Sequence, residues 1–210
     1  MKGLILGSAF FFLIQALFVK PTPMKRSDYL TPPQVIKNLS AGLQVQFSDS
    51  FWMRAIQDFD FCDQPLNEKE CKGQSWLFHV IDLTTDLDGR FLDAYFYGAL
   101  ALSVIISDSQ GASRIFDKGV VAFPKEWLMT YAAAYHALYE EKDKLKAARL
   151  YAMAADHGAP AWVRVMAGRL ALEGGEKEFA EKVLQQMLLV NEDPKLIERL
   201  KQKMGQNTAN

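Results

Sequence analysis

The sequence predicts an all-α fold, an α-solenoid of stacked antiparallel helical hairpins. Three prolines, Pro124, Pro160 and Pro194, follow one another at intervals of 36 and 34 residues, and each closes a stretch with helical spacing of apolar residues. A period near 34 residues is typical of helix–turn–helix arrays. The sequence has no useful length of alternating apolar and polar residues, the pattern of a strand. About eight to ten helices joined by short turns are therefore expected.

The composition is that of a folded chain without a strong charge bias. The 210 residues are 50% hydrophobic and 23% charged, with a formal net charge of -1. Disordered chains combine low hydrophobicity with high net charge, so this class is disfavoured. Proteins that bind nucleic acid usually carry a marked basic excess. No nucleic-acid partner is expected.

The first twenty residues predict a single-pass transmembrane anchor. Residues 3–19 form an uncharged run of seventeen, at the short end of what spans a bilayer. A cleaved signal peptide needs small residues before the cut, and the exit ALFVKPTPM lacks them. An uncleaved signal-anchor is the favoured interpretation. A cleaved signal peptide and a helix packed against protein are the alternatives.

The charges that flank this run bear on its orientation. The N-terminal amine and Lys2 favour a cytoplasmic N-terminus, whereas Lys20, Lys25 and Arg26 favour the opposite arrangement. Because the N-terminal tail is so short, we expect the body of the protein outside the cytoplasm, in a periplasmic compartment.

Two cysteines are a candidate disulfide. Cys62 and Cys71 lie in a polar stretch that also holds Pro65 and Gly73, and a loop there can bring two Cα atoms within bonding range. An exported domain would oxidise such a pair. Two unrelated reduced thiols are the alternative. A zinc site is disfavoured because the eight-residue gap is not a ligand spacing and no histidine is near in sequence.

The distribution of prolines and caps divides the chain into four parts. Four prolines precede residue 34, and the polar segment around them reads as a linker. Ser48 or Asp49 can cap the first helix of the body, Ser75 the second and Asp143 a helix at 144–156, while residues 90–106 read as one aromatic-rich helix. The predicted parts are an anchor at 1–20, a linker at 21–47 with one short helix at 33–43, a helical repeat domain at 48–204 and a disordered tail at 205–210.

The stretches before the prolines share a second pattern, in which small residues alternate with large ones. Ala148 and Tyr151 precede Pro160, and Ala180 and Leu184 precede Pro194. The helices that lead into them pair a large with a small residue: Trp127 with Ala132, and Trp162 with Ala167.

Over residues 91–194 these elements resemble tetratricopeptide repeats, in which small side chains let paired helices approach large ones. An ordinary helical bundle is the alternative. In this register Ala148 and Ala180 are buried where helices cross, and Ala147 is turned about 100° away.

The resemblance implies that the first helix of each hairpin lines a concave surface. The phase of these helices gives a set of candidate groove residues: Gln57, Asp60, Tyr95, Tyr135 and His136. Aromatic rings mixed with polar groups suit a peptide or helical partner. Tyr131, Tyr135 and Tyr139 share one helix face, for which packing within the fold is the plainer interpretation.

No catalytic or metal-binding motif is present in the sequence, and neither enzymatic activity nor a cofactor is expected. Residues 86–89 share part of a calcium-loop pattern, but Tyr95 stands where the bidentate Glu belongs, so a turn and helix cap is the better interpretation.

The function expected from these features is that of a membrane-anchored, tetratricopeptide-like scaffold. It would bind another envelope or membrane protein within a bacterial-type envelope complex. Two alternatives stay open. One is a structural subunit of a larger membrane assembly, and the other is an envelope accessory protein or enzyme that binds a small ligand between its helices.

Overall fold

The computed structural model describes residues 30–57 and 72–207, and within these ranges the chain is helical with no strand. The helices all belong to one compact unit, Thr31–Asn210. In chain order they are α1 (Ile36–Leu39), α2 (Gln44–Gln57), α3 (Trp76–Leu87), α4 (Leu92–Leu100), a π-helix (Ala101–Ile106), α5 (Ser109–Ala122), α6 (Trp127–Tyr139), α7 (Lys144–Asp156), α8 (Ala161–Glu173), α9 (Lys177–Leu189) and α10 (Pro194–Asn207). The predicted all-α class is confirmed.

Two helices begin at capping residues predicted from the sequence, Ser75 and Asp143, and Asp108 caps a third. The Ser75 hydroxyl accepts a hydrogen bond from the amide of Phe78 at the start of α3. The Asp143 carboxylate accepts one from the amide of Lys146 at the start of α7. Asp108 does the same for α5. Each cap satisfies an amide that has no acceptor within its own helix.

The last three turns of the fold share one geometry. Gly158, Gly175 and Asn191 each have a positive φ after the end of a helix. The next amide then reaches back five residues, for example from Ala159 to the carbonyl of Ala154 at 3.0 Å. This C-terminal capping arrangement ends each helix within a few residues. Short turns of this kind place consecutive helices side by side and antiparallel.

Helices pack mainly on their neighbours in the chain. Each helix from α2 to α10 contacts the next, and contacts also join α3 with α5, α4 with α6 and α8 with α10. Some crossings are close because one partner is a glycine. A Cβ at Gly168 would lie 2.8 Å from the Leu200 side chain, so α8 and α10 can pack at this distance only without it.

The first helix of the body starts earlier than the sequence predicts. Helix α2 begins at Gln44, inside the predicted linker, and Ser48 is an interior residue of it. The buried Ser48 hydroxyl donates to the Thr84 carbonyl at 3.0 Å and so ties α2 to α3, instead of capping a helix. At the other end α10 runs to Asn207, into the predicted tail.

The predicted helix at 90–106 is two elements. Helix α4 gives way at Ala101 to a π-helix, which ends where Ser107 adopts a left-handed conformation with φ of 65°. A π-turn changes the phase of side chains along a helix, and such segments are frequent at functional sites.

Helix α7 has more buried positions than its predicted register allows. Ala148 and Ala180 are buried as expected, but Ala147 is buried as well. The expectation that Ala147 is turned away from the core is therefore wrong. The reason is that α7 packs against α6 on one side and α8 on the other.

Within the described ranges, none of the helices combines the length and apolar character needed to cross a bilayer. The predicted anchor at 1–20 lies outside the described residues, as do Asp60, Cys62 and Cys71.

Candidate functional site

Two adjoining cavities form a groove on the side of the fold made by α2, α4 and α6. One cavity, of about 490 Å³, is apolar and lies against α2, α3, α4 and the π-helix. The other, of about 420 Å³, is more polar and lies between the π-helix, α5 and α6. Leu100 and Val104 line both cavities. We call the two together the groove, and its parts the apolar cavity and the polar cavity.

The apolar cavity presents large side chains to solvent. Trp52 and Ile56 of α2 face Tyr97 of α4 and Val104 and Ile105 of the π-helix across it, and all residues that line it are uncharged. Val104 is 75% exposed and Tyr97 is 55% exposed. The π-helix produces this surface because Leu102 and Ile106 fill the core while Val104 and Ile105, which lie between them, are exposed. Clustered exposed apolar side chains are typical of interaction sites.

The polar cavity contains hydroxyl groups around one histidine. Its lining includes His136 and the hydroxyl groups of Ser103, Ser107 and Ser109. Tyr135, near the end of α6, and Glu140, directly after it, also line the cavity. Tyr135 is half exposed and its ring packs on that of Tyr139, with ring centres 4.4 Å apart.

Hydrogen bonds to both ring nitrogens fix the tautomer of His136. Its Nε2 lies 3.2 Å from the carbonyl oxygen of Ser109, which can only accept, so Nε2 carries the proton. The same nitrogen lies 3.0 Å from the hydroxyl of Ser113, whose own proton goes to the Ser109 carbonyl. Nδ1 is then an acceptor, and the Ser103 hydroxyl at 2.9 Å donates to it. His136 thus joins the π-helix to α5 through a neutral ring.

Some neighbours of His136 raise its pKa and others lower it, and the effect of burial is the largest. Burial lowers the pKa below the ordinary value of 6.5, against the opposing effects of Glu141, the Ser109 carbonyl and Glu140. The Glu141 carboxylate stands 3.9 Å from Nε2, and the Lys146 ammonium, which it binds at 3.0 Å, offsets its effect. The histidine is therefore neutral at pH 7, as the hydrogen bonds require.

This lowered pKa predicts a loss of stability in mild acid. A histidine whose pKa is lower in the folded state binds more protons when unfolded, so its contribution is fully present above pH 6.5 and declines as pH falls toward the folded pKa. Denaturant unfolding between pH 7.5 and 5.5 should show this decline in the free energy of unfolding. His136→Gln should flatten the dependence of the free energy of unfolding on pH. His79→Gln is the comparison: burial also lowers the pKa of His79, but this side chain is less deeply buried, so its replacement should flatten the dependence less. An unchanged slope in His136→Gln would contradict the assignment.

The structure brings together only part of the predicted groove set. Tyr135 and His136 line the polar cavity, although His136 is only 2% exposed. Gln57 is exposed at the end of α2, next to the cavity-lining Ile56. Tyr95 instead lies in the core at 3% exposure, where its hydroxyl donates to the Thr85 carbonyl, and Tyr97 on the opposite face of α4 lines the apolar cavity.

The sequence reasoning missed the π-helix residues, above all Ser103 and Val104. A regular helix over 90–106 gives no reason to single them out, because the change of phase at Ala101 is not visible in the periodicity. The one usable signal is the break at 107–109, which marks where this element meets the next.

No group of acidic, histidine or cysteine side chains within the described ranges is arranged to hold a metal ion. The chain matches no protein-family model, no curated protein and no solved structure.

Proposed function

We propose that this chain is a membrane-anchored, tetratricopeptide-like scaffold of a bacterial-type envelope, and that the groove binds a segment of a partner protein. The main support for this proposal is the apolar cavity. It is a concave surface open to solvent, lined by uncharged and mainly apolar side chains of α2, α3, α4 and the π-helix. Concave surfaces with aromatic and aliphatic anchors are the usual recognition sites for amphipathic segments.

Helical-repeat organisation is supported by the way the helices pack. From α6 onward, the α6–α7 hairpin begins near Pro124, the α8–α9 hairpin begins near Pro160, and α10 begins at Pro194. Contacts between successive helices, with few between distant ones, are the pattern of a stacked array. The proposed anchor at 1–20 is supported by the uncharged run at 3–19, and the periplasmic location by the positive charge of Lys2 ahead of it.

The chemistry of the groove specifies the partner segment. Its apolar part calls for aliphatic or aromatic side chains, since a charged group placed there would lose its water without gaining a partner. At the other end Glu140 lines the polar cavity and is exposed. An amphipathic protein segment with a stripe of apolar side chains followed by a lysine or arginine meets both requirements.

Site-specific photo-crosslinking in cells tests this proposal. A benzoylphenylalanine at Tyr97 should give an adduct in the carbonate-washed membrane fraction, whereas one at Val121, which is 82% exposed on α5 outside both cavities, should not. The adduct should map to a segment of the stated chemistry, and a synthetic peptide of that segment should bind the purified chain.

Val104→Asp provides the sharper measurement because Val104 is exposed and its change should leave the fold intact. A charge at the centre of the groove should weaken peptide binding about 30-fold, the effect of losing an interface hot spot. Val121→Asp is the matched control and should bind as wild type. Equal binding by both variants, or adducts at both positions, would refute the groove as the partner site.

A further inference from the structure

We propose that Ser103 is a nucleophile activated by His136, and that the polar cavity is an acyl-transfer site for esters with an aliphatic acyl chain. This goes beyond the scaffold function and does not rest on it. The Ser103 hydroxyl donates to Nδ1 of His136 at 2.9 Å, which is the contact a serine nucleophile makes with its base.

The base is oriented by groups on its far side. Nε2–H points at the Ser109 carbonyl and the Ser113 hydroxyl, at 3.2 and 3.0 Å, so the ring is held with its free lone pair toward Ser103. These two acceptors, with Glu141 at 3.9 Å, also stabilise the imidazolium that forms when Nδ1 takes a proton. They take the place that a carboxylate has in most triads.

The cavities supply space for a substrate on the open side of Ser103. The polar cavity is lined by both Ser103 and His136, so a carbonyl carbon can approach the hydroxyl without displacing the histidine. The adjoining apolar cavity, which meets it at Leu100 and Val104, is large enough for an aliphatic chain. The amides of Ser109 and Gln110 open α5 and have no acceptor within that helix, so we assign them as the donors for a developing oxyanion.

The reaction has two steps. Ser103 Oγ bonds to the ester carbonyl carbon while its proton passes to Nδ1. The carbon–oxygen bond to the leaving alcohol then breaks, and the alcohol departs with that proton. Water repeats the sequence on the acyl-serine, giving a carboxylic acid and restoring the hydroxyl. No oxidant or further cofactor is needed.

An alkyl fluorophosphonate, which phosphonylates activated serines, tests the proposal on the purified full-length chain without partner. We expect adduct formation on Ser103 by peptide mass spectrometry. Ser103→Ala should abolish it, and His136→Gln should slow it about 100-fold, the usual contribution of a general base. Ser50→Ala, at an exposed hydroxyl of α2 outside both cavities, should react as wild type.

A second readout separates catalysis from a folding defect. With folding checked by circular dichroism, p-nitrophenyl octanoate should be hydrolysed faster than the acetate, and the rate should rise with pH through a value below 6.5, as His136 loses its proton. Absence of labelling in the wild type, labelling that survives Ser103→Ala, or a rate indifferent to His136→Gln would each overturn the proposal. These assays use the purified chain without a partner, so their outcome neither supports nor contradicts the crosslinking test of partner binding.

Discussion

Arg164→Ala should lower the free energy of unfolding by about 3 kcal/mol, the range found when one member of a buried ion pair is removed. Arg164 of α8 is only 6% exposed. Its guanidinium contacts the carboxylates of Asp156, at the end of α7, and Glu192, in the turn before α10, the latter at 3.3 Å. It therefore joins α8 to the end of α7 and to the turn between α9 and α10.

Most of the expected loss in the free energy of unfolding comes from Glu192. Its side chain is 12% exposed, and its Oε2 is buried without a hydrogen-bond partner among the described residues. Without Arg164 this carboxyl group would lose the cation that compensates its burial, in a site that water hardly reaches. Asp156 is half exposed, so water can replace its contact.

Denaturant unfolding of three variants checks this account. Arg169→Ala, one turn further along α8, removes an exposed pair with Glu173 and should cost about 0.5 kcal/mol or less. The double variant Arg164→Ala with Glu192→Gln should recover part of the loss, because the stranded charge is gone. A single Arg164→Ala variant as stable as Arg169→Ala would show that the pair is not effectively buried.

The sequence indicates the helices and turns of this fold because their signals are local. Ser75 and Asp143 cap helices through contacts with residues three positions away, and Gly158 and Gly175 supply the backbone conformation that ends a helix. Local signals do not identify buried residues such as Arg164, whose contacts are distant in sequence. Its partners lie 8 and 28 residues away in the chain, and no spacing within α8 marks it as buried.

The candidate site was harder to predict for a similar reason. Tyr135 and His136 follow from the phase that the sequence predicts for their helix, and both line the polar cavity. The same reasoning from helix phase selects Tyr95, but Tyr95 lies in the core, and Tyr97, two residues later, lines the apolar cavity. Ser103 and Val104 depend on the π-helix, whose extra residue per turn shifts every following side chain.

Ala147→Leu and Ala148→Leu should both destabilise the fold, each by about 1–3 kcal/mol, because extra carbons in a filled core force neighbours aside. Both alanines are at most 1% exposed on α7. In an isolated hairpin, one helix buries a single face and adjacent positions differ in burial. Helix α7 instead packs on α6 and α8 at once, so two of its faces are buried and the adjacent positions become equivalent.

Arg149→Leu places the same side chain on the same helix at an exposed position and is the matched control. Its only charge partner in the described ranges is Glu176 at 3.8 Å, with the Arg149 side chain largely exposed and that of Glu176 nearly half exposed, so the change should cost about 0.5 kcal/mol or less. Thermal melts should then show two strongly lowered midpoints and one near wild type. An Ala147→Leu variant that melts with the control would mean that α7 buries one face only. Continuous stacking of hairpins, on which the proposed scaffold depends, would then end between α6 and α8.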